Sequence, residues 1–150
     1  MKLHIASEAA MEALGGKLAK AVSAGCSIYL SGPLGAGKTT LVRGFLRAMG
    51  HTGTTKSPTY TLVESYRLGT YEIHHFDLYR VNDPEELEYI GIRDYFAYDG
   101  VIYIVEWPER GGGVLPKADL KINILYDGTA RKVSIKAGSV AGHVLLDRLK

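Results

Sequence analysis

The stretch Gly32-Pro-Leu-Gly-Ala-Gly-Lys-Thr39 sets glycines ahead of a lysine and a hydroxyl residue, and that grouping suits phosphate chemistry. It fits G-x-x-x-x-G-K-[ST] at every required position. Glycines let the backbone curl so that the N–H groups of Leu34, Gly35, Ala36 and Gly37 form an inward-facing nest for phosphate oxygens. In such a loop Lys38 reaches the β- and γ-phosphates and the Thr39 hydroxyl binds Mg²⁺. The helix that follows, with Thr40 in its first turn, presents its positive dipole end to the anion.

A phosphate loop of this kind needs an acidic partner for the metal. The run VIYIVEW supplies Glu106 at the end of an apolar strand, where ligands of open α/β sheets bind. Nothing marks a guanine reader: PKAD (116–119) lacks the leading Asn or Thr of N/T-K-x-D, and EWPE stands where a GTPase has D-x-x-G. Adenine nucleotide is therefore expected.

Three further clusters carry polar chemistry. In SPTYT, Ser57, Thr59 and Thr61 either form a switch-like segment sensing the γ-phosphate or simply belong to a Pro-started strand. In HHFDLYR, alternation sets His75, Asp77 and Tyr79 on one strand face. Asp77 there orients a water, holds a metal-bound water, or only pairs with a cation such as Arg80, and the sequence leaves these open. Adjacent His74 and His75 point to opposite faces of a strand, which argues against a histidine metal site. Trp107 in EWPERGGG precedes a glycine-rich turn and reads either as core or as a stacking or partner-contact residue.

These residues need a frame. Met11, Leu14, Leu18 and Val22 recur at helical spacing after Ser7, a natural N-cap, while Gly15 and Gly16 inside that helix suggest close approach of another backbone. SIYLS (27–31) reads as a buried strand and GKTTLVRGFLRAMG as the next helix. TYTLVESYRL and YEIHHFDLYR form a hairpin about Gly69-Thr70. NDPEELEYIGIRDYF opens a helix with Asp83 as N-cap, Pro84 in the first position and Glu86 completing a capping box. VIYIVE (101–106) is a central strand, LKINILYDG and RKVSIK form a second hairpin, and SVAGHVLLDRLK closes as a helix. The expected order is α-β-α-β-β-α-β-β-β-α. It gives one α/β P-loop NTPase domain over residues 1–150, a central mixed sheet flanked by helices.

Bulk properties agree with a globular chain: 150 residues, 46% hydrophobic, 23% charged. A net charge of +2, spread along the chain, is too mild to indicate nucleic-acid binding, so any RNA contact is expected through partners or a local patch. The lone Cys26, the lack of an apolar signal core and the lack of a membrane-length apolar run lead to the expectation of a cytoplasmic protein without membrane contact.

The blocks LGAGKTTLVRG, SPTYTLVESY, HHFDLYRVNDPEELEYIGIRDYF and VEWPER, in that order over roughly residues 14 to 110, resemble the bacterial TsaE (YjeE) family of small P-loop ATPases. HFDLYR followed by DPEELE and then EWPE is the specific part. What the resemblance implies is a support ATPase, weak alone, that binds ATP and Mg²⁺ and acts with the TsaD–TsaB pair. That pair builds threonylcarbamoyladenosine beside the anticodon of tRNAs, which the ATPase reaches indirectly, through the complex. It does not transfer the carbamoyl group but resets the complex between turnovers. By motif position Lys38 and Asp77 are the catalytic residues, Thr39 and Glu106 the Mg²⁺ contacts, and residues 57–61 the switch-like loop. The chain departs from the pattern at Pro33, where an acidic residue is common, and at Met11, where the family often has Thr. Ser7 or Glu8 then replaces that contact, and Arg131 matches a late basic position that reaches the nucleotide.

Two rivals remain at this level. A small-molecule kinase shares the phosphate loop but needs a lid carrying arginines, whereas Arg67, Arg80, Arg93, Arg110 and Arg131 are scattered. A binding module with a nucleotide held only as a folding cofactor would show no turnover.

Overall fold

Alternation and apolar runs in this chain resolve into seven strands of one sheet. The computed structural model describes residues 1–22, 25–55, 57–58 and 60–150. In chain order the elements are β1 (Lys2–Ile5), α1 (Glu8–Ala21), β2 (Cys26–Ser31), α2 (Lys38–Ala48), β3 (Val63–Leu68), β4 (Tyr71–Asp77), α3 (Glu85–Tyr89), α4 (Ile92–Tyr95), β5 (Val101–Glu106), β6 (Leu120–Asp127), β7 (Ala130–Ala137) and α5 (Val140–Leu149). The sheet order is β1-β7-β6-β2-β5-β4-β3. Its centre, β6-β2-β5-β4, is parallel; β3 and the β7-β1 pair flank it antiparallel. This is the α/β mixed sheet flanked by helices that the sequence anticipates.

Every residue of β5 is buried, because it lies at the centre with helices on one face and an aromatic cluster on the other. One face packs Ile28, Leu30, Ile102 and Ile104 against Leu14 and Leu18 of α1 and Leu41 and Phe45 of α2. The opposite face packs Phe76, Tyr103 and Val105 against Leu87 of α3 and Ile92 of α4.

Three local features depart from the expected pattern. The strand β1 precedes α1 and pairs antiparallel with β7. The helix expected from Asp83 breaks into α3 and α4 at Gly91, whose φ of +71° is left-handed. Its start also falls one residue later than expected, with Pro84 at the N-cap and no side-chain cap bond among the described residues. Asp83 stands just before it, its carboxylate accepting from the Glu85 N–H at 2.9 Å and its carbonyl from the Glu86 N–H at 2.9 Å. Tyr79 lies beyond the end of β4 rather than on its face, so only His75 and Asp77 share the strand.

The paired glycines of α1 separate. A Cβ on Gly15 would sit 2.1 Å from the Leu41 carbonyl oxygen, and one on Gly44 of α2 would sit 2.1 Å from the Glu12 carbonyl oxygen. The two helices therefore cross backbone to backbone. Gly16 meets only the Ala48 Cβ, at 3.8 Å, and takes no part in the crossing. The crossing matters for chemistry because α2 starts at Lys38.

Candidate functional site

Three parallel strands end side by side where α2 begins. The C-terminal ends of β2, β5 and β4 deliver the phosphate loop, Glu106 and Asp77, with Asp77 and Glu106 in direct register. Gly35 and Gly37 take left-handed φ values of +76° and +114°, and Gly37 stands at the N-cap of α2. A Cβ on Gly35 would lie 2.9 Å from the Tyr126 hydroxyl, so the cradle is shaped for glycine in both space and backbone angle.

Two clefts run along this loop. One, of about 260 Å³, is lined by residues 34–40 together with Ser57, Asp77, Glu106 and Trp107. The other, of about 270 Å³, shares Gly35, Ala36, Gly37 and Thr40 and adds Ser7, Glu8, Met11, Thr129 and Arg131. The first holds the charged groups suited to phosphate and metal. The second opens on the other side of the same loop residues.

Lys38 is 5% exposed, and its amine donates to the carbonyls of Gly32 and of Pro33, the latter at 3.0 Å. The Trp107 ring centroid lies 4.3 Å from that amine. Burial pushes the Lys38 amine below its ordinary pKa, while Glu106, Asp77 and Glu109 pull the other way. Trp107 itself takes a left-handed backbone, φ +57°, uncommon outside glycine, and its N–H donates to the Leu30 carbonyl at 3.2 Å. Strain at this corner sets the indole against the lysine and, at 5.1 Å, against Tyr79.

The Thr39 hydroxyl and the Glu106 carboxylate are already neighbours, at 3.2 Å. A hydroxyl and a carboxylate side by side, beside a glycine cradle, make an oxygen donor set that fits Mg²⁺. Glu106 is 3% exposed and accepts from His75 Nε2 at 2.6 Å; His75 is fully buried. The His75 Nδ1 has no hydrogen-bond partner among the described residues. A proton on Nδ1 would be an unsatisfied buried donor, so this pattern assigns the ring's proton to Nε2. Asp77, 4% exposed, accepts from the Tyr79 N–H at 3.0 Å through Oδ1.

The remaining expected residues divide. Ser7 caps α1, accepting from the Ala10 N–H at 3.1 Å, and lines the second cleft. Arg131 lines the same cleft, its Nε donating to the Ala36 carbonyl at 3.0 Å with the guanidinium over the Tyr126 ring. Ser57 reaches the phosphate-side cleft. Thr61 instead donates to Glu64 at 3.1 Å on the exposed side of a turn preceding β3, and Thr59 lies outside the described residues. The sequence sets His75 on one strand face with Asp77 and argues against a histidine metal site, but shows no contact with Glu106. Its position two residues before Asp77 was a signal, but the contact with Glu106 depends on β4 lying beside β5.

The model of the family described as "Threonylcarbamoyl adenosine biosynthesis protein TsaE" matches residues 5–133. The chain belongs to the TsaE family. It is 55% identical over 115 residues to the Haemophilus influenzae protein named tRNA threonylcarbamoyladenosine biosynthesis protein TsaE, covering 77% of this chain and 72% of that one. A Bacillus subtilis protein of the same name is 40% identical over 101 residues, covering 67% of this chain and 62% of that one, a little under two thirds of its length. Among solved structures, the crystal structure of Bacillus subtilis YdiB superposes with a TM-score of 0.84 at 27% identity, covering 99% of this chain and 93% of that one. The family's P-loop fold thus extends over nearly all of this TsaE-family chain.

Proposed function

We propose that the chain is an ATP-binding and ATP-hydrolysing accessory protein in tRNA threonylcarbamoyladenosine biosynthesis, working with TsaD and TsaB in the cytoplasm. The observation that carries this reading is the meeting of Lys38, Thr39, Asp77 and Glu106 in one cleft at the strand ends. The names of its relatives give the pathway.

The backbone N–H groups of residues 34–37 and the α2 N-terminus bind phosphate oxygens, and Lys38 moves from its loop carbonyls to add a fixed positive charge. Thr39 and Glu106 hold the metal, and His75 fixes the Glu106 carboxylate by a buried hydrogen bond. Magnesium, when bound, supplies charge neutralisation between phosphate oxygens. Asp77, one strand over, orients the attacking water. Ser7, Met11 and Arg131 line the nucleoside side. Loss of γ-phosphate contacts at the Ser57 segment and Trp107 weakens docking to the pair, which resets it between modification cycles.

Arg67 and Arg93 pair with Glu72 and Glu88 on the surface and Arg80 covers the Tyr60 ring, while Arg110 lies over the Tyr79 and Trp107 rings and Arg131 lines the second cleft. That dispersal disfavours a kinase lid. The test is to count modified tRNAs formed per TsaD–TsaB pair. Wild-type chain is expected to support many turnovers and Lys38→Ala about one; equal turnover by both proteins would overturn the reading.

A further inference from the structure

The carbonyls of the phosphate loop are held by side chains from two sides. Within residues 32–37 the loop bonds to itself once among the described residues, from the Ala36 N–H to the Pro33 carbonyl at 3.2 Å. The Lys38 amine takes the Gly32 and Pro33 carbonyls. The hairpin of β6 and β7 takes two more: the Tyr126 hydroxyl donates to the Leu34 carbonyl, and Arg131 Nε donates to the Ala36 carbonyl at 3.0 Å. Tyr126 and Arg131 are direct cross-strand partners, so both side chains leave the hairpin on one face. The guanidinium carbon lies 4.5 Å from the Tyr126 ring centroid. Arg131 is pinned in turn by its own hairpin, Nη1 donating to the Ala130 carbonyl at 2.8 Å. The loop fits closely against this hairpin at two glycines. A Cβ on Gly32 would sit 2.3 Å from the Ile124 carbonyl oxygen of β6, and one on Gly35 would sit 2.9 Å from the Tyr126 hydroxyl.

We propose that Tyr126 and Arg131 are positioning residues for the phosphate loop, a clamp that keeps the cradle in shape when Lys38 leaves it. The proposal rests on the nucleotide reading above. In that reading Lys38 gives up the Gly32 and Pro33 carbonyls to meet a phosphate, so it no longer holds the loop. The two hairpin bonds do not involve Lys38 and stay in place. They also set the direction of particular amides. A peptide unit is planar and trans, so the carbonyl of one residue and the N–H of the next point opposite ways. Drawing the Leu34 carbonyl toward Tyr126 turns the Gly35 N–H away from the hairpin, and drawing the Ala36 carbonyl toward Arg131 does the same for Gly37. Gly35 and Gly37 are the two loop residues after Pro33 with left-handed φ, the backbone shape this alternation requires. The hairpin thus aims two amides at the anion. It acts through the loop and needs no contact of its own with the nucleotide.

The experiment compares the full wild-type chain with Tyr126→Phe, which removes the hydroxyl and keeps the ring beneath Arg131. Order parameters from backbone amide relaxation of the nucleotide-free protein should fall at Gly35 and Gly37 and hold through β6 and β7. Calorimetric titration should then show ADP and ATP affinity falling by the same factor, about threefold to tenfold, the worth of one neutral hydrogen bond. The factor is shared because the loop amides cradle phosphates that both nucleotides carry. Arg131→Leu should lower the order of Gly37 in the nucleotide-free protein in the same way. Unchanged order at Gly35 and Gly37 in Tyr126→Phe would overturn the proposal. So would an affinity loss confined to ATP, which would assign the hydroxyl to the γ-phosphate. Order lost throughout β6 and β7 would also overturn it, by making Tyr126 a residue of the fold alone. A wild-type protein that binds neither nucleotide would count against the nucleotide reading, and the order parameters would still decide whether the hairpin sets the loop.

Discussion

Lys38 is a buried cation whose hydrogen bonds among the described residues are to loop carbonyls, so its electrostatic value is realised when phosphate replaces them. Lys38→Ala should weaken ATP binding roughly tenfold to hundredfold, the loss of one charge-assisted contact at about 1.5–3 kcal/mol. Calorimetric titration checks this, and unchanged affinity would contradict the phosphate-loop assignment. His75 acts one step away. His75→Leu leaves the buried Glu106 carboxylate without its 2.6 Å donor, so ATP affinity should fall in Mg²⁺ more than in chelator, narrowing the ratio between the two. His75→Gln keeps a donor at the end of the side chain and should restore most of that ratio. Equal ratios in wild type and His75→Leu would remove His75 from the site.

At the scale of elements, the crossing of α1 and α2 fixes where the phosphate loop sits. Gly15→Ala drives a methyl group into the Leu41 carbonyl and should cost about 1–3 kcal/mol or more. Since α2 opens at Lys38, the same change should weaken ATP binding. Gly16→Ala meets only an ordinary contact and should stabilise α1 by up to about 1 kcal/mol. Denaturant unfolding separates the two, and similar losses at both positions would contradict the crossing. Both glycines read alike in the sequence, because helical spacing shows where a face lies but not how close its neighbour comes. Other elements were similarly half legible. The phosphate loop and its helix are local signals, and so are both hairpins. The four residues of β1 are too few to reveal a strand whose partner, β7, is more than a hundred residues away. The helix after Asp83 kept helical spacing across Gly91, and only its left-handed φ breaks it. His75 and Glu106 meet through sheet order, which local pattern does not encode.

Across the whole molecule, several anionic-when-titrated groups are folded into the sheet. Burial, helped by the charge of Asp119, pushes the Cys26 thiol from 9.0 up to about 12, and burial likewise raises the hydroxyls of Tyr29 and Tyr103. Above about pH 9 the unfolded chain therefore releases protons that the native chain retains, so native stability is fully present below that pH and declines toward 12. The urea midpoint should be lower at about pH 10.5 than at about pH 8, and Cys26→Ala should reduce that difference; a midpoint that rises over this range would contradict the sign. The same whole-molecule view joins the site to its role. Carboxylates at the ends of two strands, Lys38 at a helix start and a strained Trp107 converge at one sheet edge.

The most direct measurement is the rate of ATP hydrolysis by the purified protein, alone and with the TsaD–TsaB pair. Slow hydrolysis that rises when the pair is added, and is lost in Asp77→Ala, is the expected result. A rate indifferent to the pair, or an Asp77→Ala protein as active as wild type, would contradict the role proposed for this site.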